Sequence, residues 1–152
     1  MRFPLRVYVA GPLRGTTPYH TRSNVEAARH TAEMLWRMGY AVFCPHLNTE
    51  GMIGMLDATD DLTDDFFIDG DIRWLMAADL VVFLPGWKDS KGAKTEHYHA
   101  KLVDIPIFYC REPERHEQKI CYLADSTGQT LPTARAVTRD ELKTYTQKGE
   151  ET

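Results

Sequence analysis

Short apolar runs alternate along the chain with stretches in which apolar residues recur at helical spacing. The apolar runs predict strands at residues 5–10, 40–44, 80–84 and 105–109. The stretches between them predict helices over about residues 23–38, 63–77 and 93–102. A repeated strand-helix order implies right-handed crossovers and a parallel sheet that is covered on both faces. The sequence therefore predicts a three-layer, doubly wound α/β fold of the flavodoxin or Rossmann type.

Local signals set the predicted ends of these elements. A capping box at residues 23–26 predicts the start of the first helix, and Gly39 predicts its end. A second capping box, at residues 138–141, predicts a short last helix. Residues 45–61 have no clear period and predict a long loop over the site.

Composition narrows the class of protein. The chain has 152 residues, 43% hydrophobic and 26% charged, which suits one globular core. We interpret residues 1–148 as a single domain and residues 149–152 as a frayed tail. The net charge of −4 argues against a nucleic-acid partner, which requires clustered positive charge. Three cysteines without a Cys-x-x-Cys pair predict reduced thiols in a cytoplasmic protein, and no apolar run is long enough to indicate a membrane role.

The loops after the first and third strands are the predicted place of a ligand site. Doubly wound sheets bind ligands at the carboxyl ends of their strands, where the strand order reverses. Backbone N–H groups of residues 11–15, the Arg14 guanidinium and the Ser90 hydroxyl are placed to converge on one phosphate. His46, after the second strand, predicts a further substrate contact.

Glu96 is the strongest catalytic candidate. On the third predicted helix Ala93, Glu96, Ala100 and Val103 form one stripe, which turns the carboxylate toward the sheet, whereas His97 does not share this stripe. The alternative is an acid that faces solvent in the first turns and is favoured by the helix dipole. His97 and His99 are two residues apart on the same predicted helix and diverge by about 200°, so they are not expected to share a metal ion.

Two further side chains are candidates for assisting Glu96. The second predicted helix has an apolar face that consists of Phe67, Ile68, Ile72, Leu75 and Met76. Asp71 shares a stripe with Ile68, Ile72 and Leu75, so its carboxylate is expected among apolar neighbours, where desolvation raises its pKa and suits it to donate a proton. The alternative is a structural Asp bonded to backbone donors. Tyr8, near the end of the first strand, can orient a carboxylate by a hydrogen bond, with ordinary core packing as the alternative.

Three short motifs occur in order along the chain: YVAGPLRG at 8–15, DIRWL at 71–75 followed by Ala-Asp at 78–79, and SKGAKTE at 90–96. Together they resemble the nucleoside 2-deoxyribosyltransferase superfamily over about residues 5–108. The similarity is greatest to the 2'-deoxynucleoside 5'-phosphate N-hydrolases and to an uncharacterised bacterial and phage group. The resemblance implies a small-molecule nucleotide or nucleoside as substrate, no cofactor, and a homodimer or higher homo-oligomer.

The resemblance also implies roles for the matching residues. Glu96 corresponds to the nucleophile, Asp71 to the acid that assists departure of the base, and Tyr8 to the tyrosine that positions the nucleophile. Ser90 corresponds to a serine that contacts phosphate in the hydrolases, where the transferases have an aspartate. The other predicted binding residues are Gly11, Pro12, Leu13, Arg14, Gly15, Gly92 and His46.

The match at two of these positions bears on the substrate. Arg14 corresponds to the phosphate-loop arginine of the hydrolases, whereas Pro12 stands where they have a serine. With Ser90, Arg14 favours a 5'-monophosphate. We therefore expect hydrolysis of the N-glycosidic bond of (2'-deoxy)nucleoside 5'-monophosphates through a covalent glycosyl-Glu96 intermediate. Transfer of deoxyribose between bases, and a nucleotide-binding sensor without turnover, remain open alternatives, and neither the base nor the choice of deoxyribose or ribose is distinguished.

Overall fold

The computed structural model describes residues 3–50, 52, 64–111, 122–145 and 149–151. The strands are β1 (Arg6–Ala10), β2 (Ala41–Phe43), β3 (Leu80–Phe83), β4 (Ile107–Arg111) and β5 (Tyr122–Ala124). The helices are α1 (Pro18–Met38), α2 (Pro45–Thr49), α3 (Asp64–Leu75), α4 (Lys91–Leu102) and α5 (Arg139–Leu142), and a short 3₁₀ turn spans Trp87–Asp89.

The strands form one sheet in the order β2-β1-β3-β4-β5. The first four strands are parallel, and β5 runs antiparallel to β4. The predicted doubly wound fold is confirmed, and the order reverses between β1 and β3, so the loops after these two strands flank a crevice. The sequence analysis missed β5, because only three residues pair there and the apolar pattern is weak beyond Arg111.

Helix α1 begins five residues before the predicted start at Ser23. Pro18 occupies the first turn, and the Thr17 hydroxyl caps the helix by accepting a hydrogen bond from the His20 N–H at 3.2 Å. Proline and a threonine cap are favoured at a helix start, so this signal overrides the internal capping box. The predicted end is confirmed: Gly39 takes a left-handed conformation with φ of 103°.

The predicted long loop after β2 begins with the short helix α2. The rest of that loop lies outside the described residues, apart from Glu50 and Met52. Strand β4 begins two residues later than predicted, because the Ile105 N–H still closes α4 by bonding to Ala100 O at 3.0 Å.

Each face of the sheet carries its own core. Helices α1 and α5 cover one face, on which Ala28, Leu35 and Leu142 are buried. Helices α3 and α4 cover the other, on which Leu75 and Ala100 are buried. The candidate site lies at the edge of this second layer. None of the helices in the described parts of the chain is long and apolar enough to cross a membrane.

The tail that we predicted to fray makes contacts at Glu150. Its backbone N–H donates to the Tyr109 hydroxyl at 2.6 Å, and its carboxylate pairs with Arg111 and with Lys88. The described residues 149–151 therefore include a docked segment.

Candidate active site

Glu96 lies on the buried side of α4, directly behind the carboxyl end of β1. Its side chain is only 7% exposed, and Oε1 accepts a hydrogen bond of 2.5 Å from the Tyr8 hydroxyl. Tyr8 on β1 is fully buried. The predicted stripe needs two corrections, since Val103 is 40% exposed while His97 is buried. Helix α4 ends at Leu102, so Val103 lies past the surface that packs on the sheet.

The position of Glu96 follows from the start of α4. The Ser90 hydroxyl caps this helix by accepting a hydrogen bond from the Ala93 N–H at 3.3 Å. The cap fixes where the helix begins, and Glu96 falls about two turns later, on the face of α4 that packs on the sheet. Neighbouring Ala93 is buried and small, which allows α4 to approach the sheet closely.

Asp71 lies on the inner side of α3, and it lines the same cavity of about 430 Å³ as Glu96. It is half-buried, and burial raises its pKa to about 6. The predicted face of α3 holds at Ile72 and Leu75, which are buried. Met76, also predicted for this face, is 51% exposed, because α3 ends at Leu75.

The two carboxyl groups and the phenol affect one another. The pKa of Glu96 is raised to about 8: burial is the main cause, the hydrogen bond from Tyr8 opposes the rise, and the charge of Asp71 adds to it. Burial also raises the pKa of Tyr8 well above its usual value, with additional effects of Glu96 and Asp71. Between about pH 6 and about 8 the two carboxyl groups therefore share one proton.

The loop after β1 forms one wall of the cavity. Gly11 is required there by a close approach, because a Cβ at this position would lie 2.7 Å from the Cβ of Leu84 at the end of β3. Gly15 is turned away from the cavity: its N–H donates to Thr21 Oγ1 at 3.0 Å and ties the loop to α1. The predicted residues that line the cavity are Gly11, Pro12, Leu13, Arg14, His46, Asp71, Ser90, Gly92 and Glu96. Tyr8 and Gly15 do not line it.

His46 is hydrogen-bonded to the loop that forms this wall. It is 4% exposed, and its Nε2–H donates to the carbonyl oxygen of Pro12 at 3.0 Å. Burial lowers the pKa of the ring, and this favours the neutral form. The structure thus gives His46 a bond to the loop, while one side of the ring borders the cavity.

Comparison with known proteins identifies the family. Residues 5–109 match a family model described as a domain of unknown function, DUF4406. The chain belongs to this family. A solved structure of similar fold is that of a 2-deoxyribosyltransferase from the psychrotolerant bacterium Bacillus psychrosaccharolyticus, with a TM-score of 0.50 and 16% identity over 68% of this chain and 70% of the other. None of the curated proteins matches the sequence.

The DUF4406 domain also places residues in the cavity that the sequence analysis did not assign to it. Phe67 and Ile68 were predicted only as core residues of α3, yet they form an apolar wall, and Ile68 Cδ1 would lie 3.4 Å from a Cβ at Gly92. Thr49 enters from α2, which was not predicted. Apolar spacing identified the inner face of α3 but did not show that its amino end borders a cavity.

Charged residues surround the mouth of the cavity in the DUF4406 domain. Lys91 Nζ on α4 lies 3.2 Å from Asp65 Oδ1 on α3, an exposed ion pair that bridges the two helices. Asp89 adds a negative charge to the lining of the cavity, and Arg14 adds a positive charge. Among the described residues, no group of three or more His, Cys, Asp or Glu side chains is arranged to hold a metal ion.

Proposed function

We propose that this protein hydrolyses the N-glycosidic bond of nucleoside 5'-monophosphates through a covalent intermediate on Glu96. The observation that carries the proposal is the buried Glu96 carboxyl, which is bonded to Tyr8 and lines, together with Asp71, a cavity of about 430 Å³. Burying an ionisable carboxyl costs folding free energy, and such groups concentrate at functional sites.

The first step breaks one bond and forms another. Glu96 attacks C1' of the sugar as the bond from C1' to the base nitrogen breaks, through an oxocarbenium-like transition state. Asp71 gives its proton to the departing base. The products of this step are the free base and a sugar phosphate esterified to Glu96.

Water completes the cycle by attacking C1' of the glycosyl ester. Asp71, now ionised, accepts a proton from that water, and Glu96 leaves as a carboxylate. The hydroxyl of Tyr8 donates to the Glu96 carboxylate in both the first and last states, and so holds its orientation. The first step needs a single proton on the carboxyl pair, the number that the pair carries near neutral pH, and the second step restores that proton from water.

Ser90 and Arg14 are the proposed phosphate contacts. Ser90 Oγ already accepts a hydrogen bond from Ala93, so its hydroxyl hydrogen is directed to a different partner, such as a phosphate oxygen. Arg14 lines the same cavity and supplies positive charge. A cavity lined by a cation, a hydroxyl donor and two carboxyl groups suits a ligand with a phosphate and a glycosidic bond.

Transfer of deoxyribose is the second candidate. It is favoured by the fold shared with the 2-deoxyribosyltransferase, a protein described as a biocatalyst for nucleoside synthesis. In this reaction a second base, in place of water, attacks the glycosyl ester. A third candidate, a sensor that binds nucleotide without turnover, uses the cavity alone.

One experiment separates these candidates. The protein is incubated with deoxy- and ribonucleoside 5'-monophosphates and with the parent nucleosides, each with and without an acceptor base, and free base is measured by chromatography. Hydrolysis releases base from monophosphates without an acceptor, transfer requires the acceptor, and a sensor gives neither. Glu96→Gln is expected to abolish release, with a loss above about 10³-fold, while the exposed control Glu26→Gln retains it.

We further propose that two copies associate through the outer face of α3 and α4. Tyr98 and Leu102, which lie four residues apart on α4, are more than half exposed. Exposed acidic residues on α3, such as Asp69, and exposed lysines on α4, such as Lys94, give the face two halves of opposite charge. In a two-fold arrangement each acidic half meets the basic half of the other copy.

Sedimentation measures this association directly. Leu102→Glu is expected to convert the dimer to a monomer, whereas Trp36→Glu, at an equally exposed position on α1, leaves it intact. A wild-type protein that sediments as a monomer at all concentrations would refute the association. The catalytic proposal would be unaffected by that result.

A further inference from the structure

The docked C-terminal segment, Gly149 and Glu150, lies against the turn that carries Ser90. The Glu150 carboxylate pairs with Arg111 on β4 and lies 3.6 Å from Lys88 Nζ in the 3₁₀ turn. Its backbone N–H donates to the Tyr109 hydroxyl at 2.6 Å. One residue thus joins β4 to the turn between β3 and α4.

Gly149 fits a narrow crevice between α4 and β4. A Cβ at this position would lie 3.0 Å from His97 Nε2 and from Ile107 Cδ1, and 3.1 Å from Lys101 Cγ. These distances leave no room for a side chain unless neighbouring groups shift. The close fit indicates that the segment docks in one position.

Aromatic rings connect the docked segment to the turn. Trp87 stacks on His97 with ring centroids 4.1 Å apart, and His97 Nε2 lies 2.8 Å from the Tyr109 hydroxyl. Lys88 Nζ lies 5.6 Å from the centroid of the Trp87 ring, and the Arg111 guanidinium lies 5.1 Å from that of Tyr109. Glu150 therefore neutralises two cations that each rest on a ring of the same stack.

The other side of this turn faces the cavity. Asp89 and Ser90 line the cavity, whereas Trp87 is buried behind them. The turn itself has only two backbone hydrogen bonds of its own, from Asp89 N to Gly86 O at 3.1 Å and from Ser90 N to Trp87 O at 3.2 Å. The conformation of the turn therefore depends on the contacts that Trp87 and Lys88 make on the side away from the cavity.

We propose that Gly149 and Glu150 are positioning residues that hold the turn at residues 86–90 in the conformation that presents Ser90 to the cavity. Glu150 acts through Lys88 and through the stack of Trp87 on His97, and does not touch the substrate. The predicted effect on substrate binding rests on the proposed function, whereas the effect on the turn does not.

Amide hydrogen exchange tests the effect on the turn without substrate. Glu150→Gln is expected to speed exchange of the Asp89 and Ser90 amides by about 10-fold, because it weakens two ion pairs and leaves the strand ladders intact. Glu151→Gln is the matched control: it makes the same change of charge at the next residue, which is exposed. Equal exchange in the two variants would overturn the proposal, as would faster exchange that extends equally through β3.

Steady-state kinetics test the consequence for the site. Glu150→Gln is expected to raise KM for a monophosphate by about 3–10-fold and to change kcat by less than about twofold. The reason is that Ser90 contributes to substrate binding, whereas the bond-breaking step depends on Glu96. Adding Lys88→Met to Glu150→Gln should raise KM by less than about twofold more, since both changes disrupt one linkage. A fall in kcat with KM unchanged would overturn the positioning role. A wild-type protein that releases no base would refute the proposed function, and the exchange result would still decide the role of the segment.

Discussion

Replacing Glu96 by Gln should stabilise the fold, and the gain should grow with pH. Burial raises the pKa of this carboxyl from 4.5 to about 8. The folded protein therefore holds a proton that the unfolded chain has already lost in this range. The contribution of Glu96 to stability is present in full below pH 4.5 and is lost as the pH rises through about 8.

The size of the effect follows from the pKa difference. Each tenfold change in proton affinity is worth about 1.4 kcal/mol, so the ionised Glu96 carboxylate costs about 5 kcal/mol at pH 9 relative to the neutral acid. Gln keeps the shape and the acceptor oxygen for Tyr8 and carries no charge. Because the structure relaxes around a buried charge, we expect Glu96→Gln to gain about 2–4 kcal/mol at pH 9 and less than about 1 kcal/mol at pH 5.

Urea unfolding of the wild-type protein and of Glu96→Gln at pH 5, 7 and 9 measures the gain in the free energy of unfolding. For a chain of this length about 1 kcal/mol corresponds to roughly 2–4 °C in Tm, so a thermal scan at pH 9 gives an independent reading. Asp69→Asn, an exposed carboxylate on α3, should change stability little at any of the three pH values. A gain that is equal at pH 5 and pH 9, or a loss at pH 9, would refute the assignment of a buried, ionisable Glu96.

Four further predictions concern activity. The pH dependence of kcat/KM should be bell-shaped with limbs near pH 6 and 8, because below the first both carboxyl groups are protonated and above the second neither is; a rate that still rises at pH 9 would contradict a shared proton. Asp71→Asn should slow base release by about 10²–10⁴-fold, and less for bases that leave easily; an equal loss for every base would make Asp71 structural. Arg14→Ala should weaken use of monophosphates by about 2–3 kcal/mol and leave nucleosides unaffected, which a comparison of kcat/KM on the two substrates checks. Tyr8→Phe should move the limb near pH 8 upward, because the phenol stabilises the ionised Glu96; an unmoved limb would assign Tyr8 to packing alone.

Much of the fold and the grouping of the site could be predicted, because both depend on local patterns. The periods of apolar residues identified β1 to β4 and the three longer helices, and these elements have only a few right-handed arrangements in one sheet. Once β1 and β3 are neighbours, Tyr8 and the start of α4 lie at the same edge. The inward stripe of α4 then predicts the meeting of Tyr8 and Glu96, which are 88 residues apart in the chain.

The features that could not be predicted depend on tertiary contacts. Strand β5 forms because β4 offers an unpaired edge, which three residues of ordinary composition can occupy. Glu150 resembles a charged residue in a solvated tail, and its docking depends on Lys88 and Arg111, which lie far away in the sequence.

The position of the shared proton is a further consequence of tertiary structure, and it bears on the mechanism. Glu96 is more deeply buried than Asp71, so near pH 7 the proton lies on Glu96, whereas the proposed attack on C1' requires it on Asp71. In the proposed mechanism the proton therefore passes to Asp71 once substrate is bound, where a base nitrogen beside Asp71 favours the protonated acid. The positive charge that develops at C1' in the transition state then stabilises the Glu96 carboxylate. A buried carboxyl that is neutral without substrate lowers the cost of folding, and in this mechanism it ionises only when the reaction requires a nucleophile.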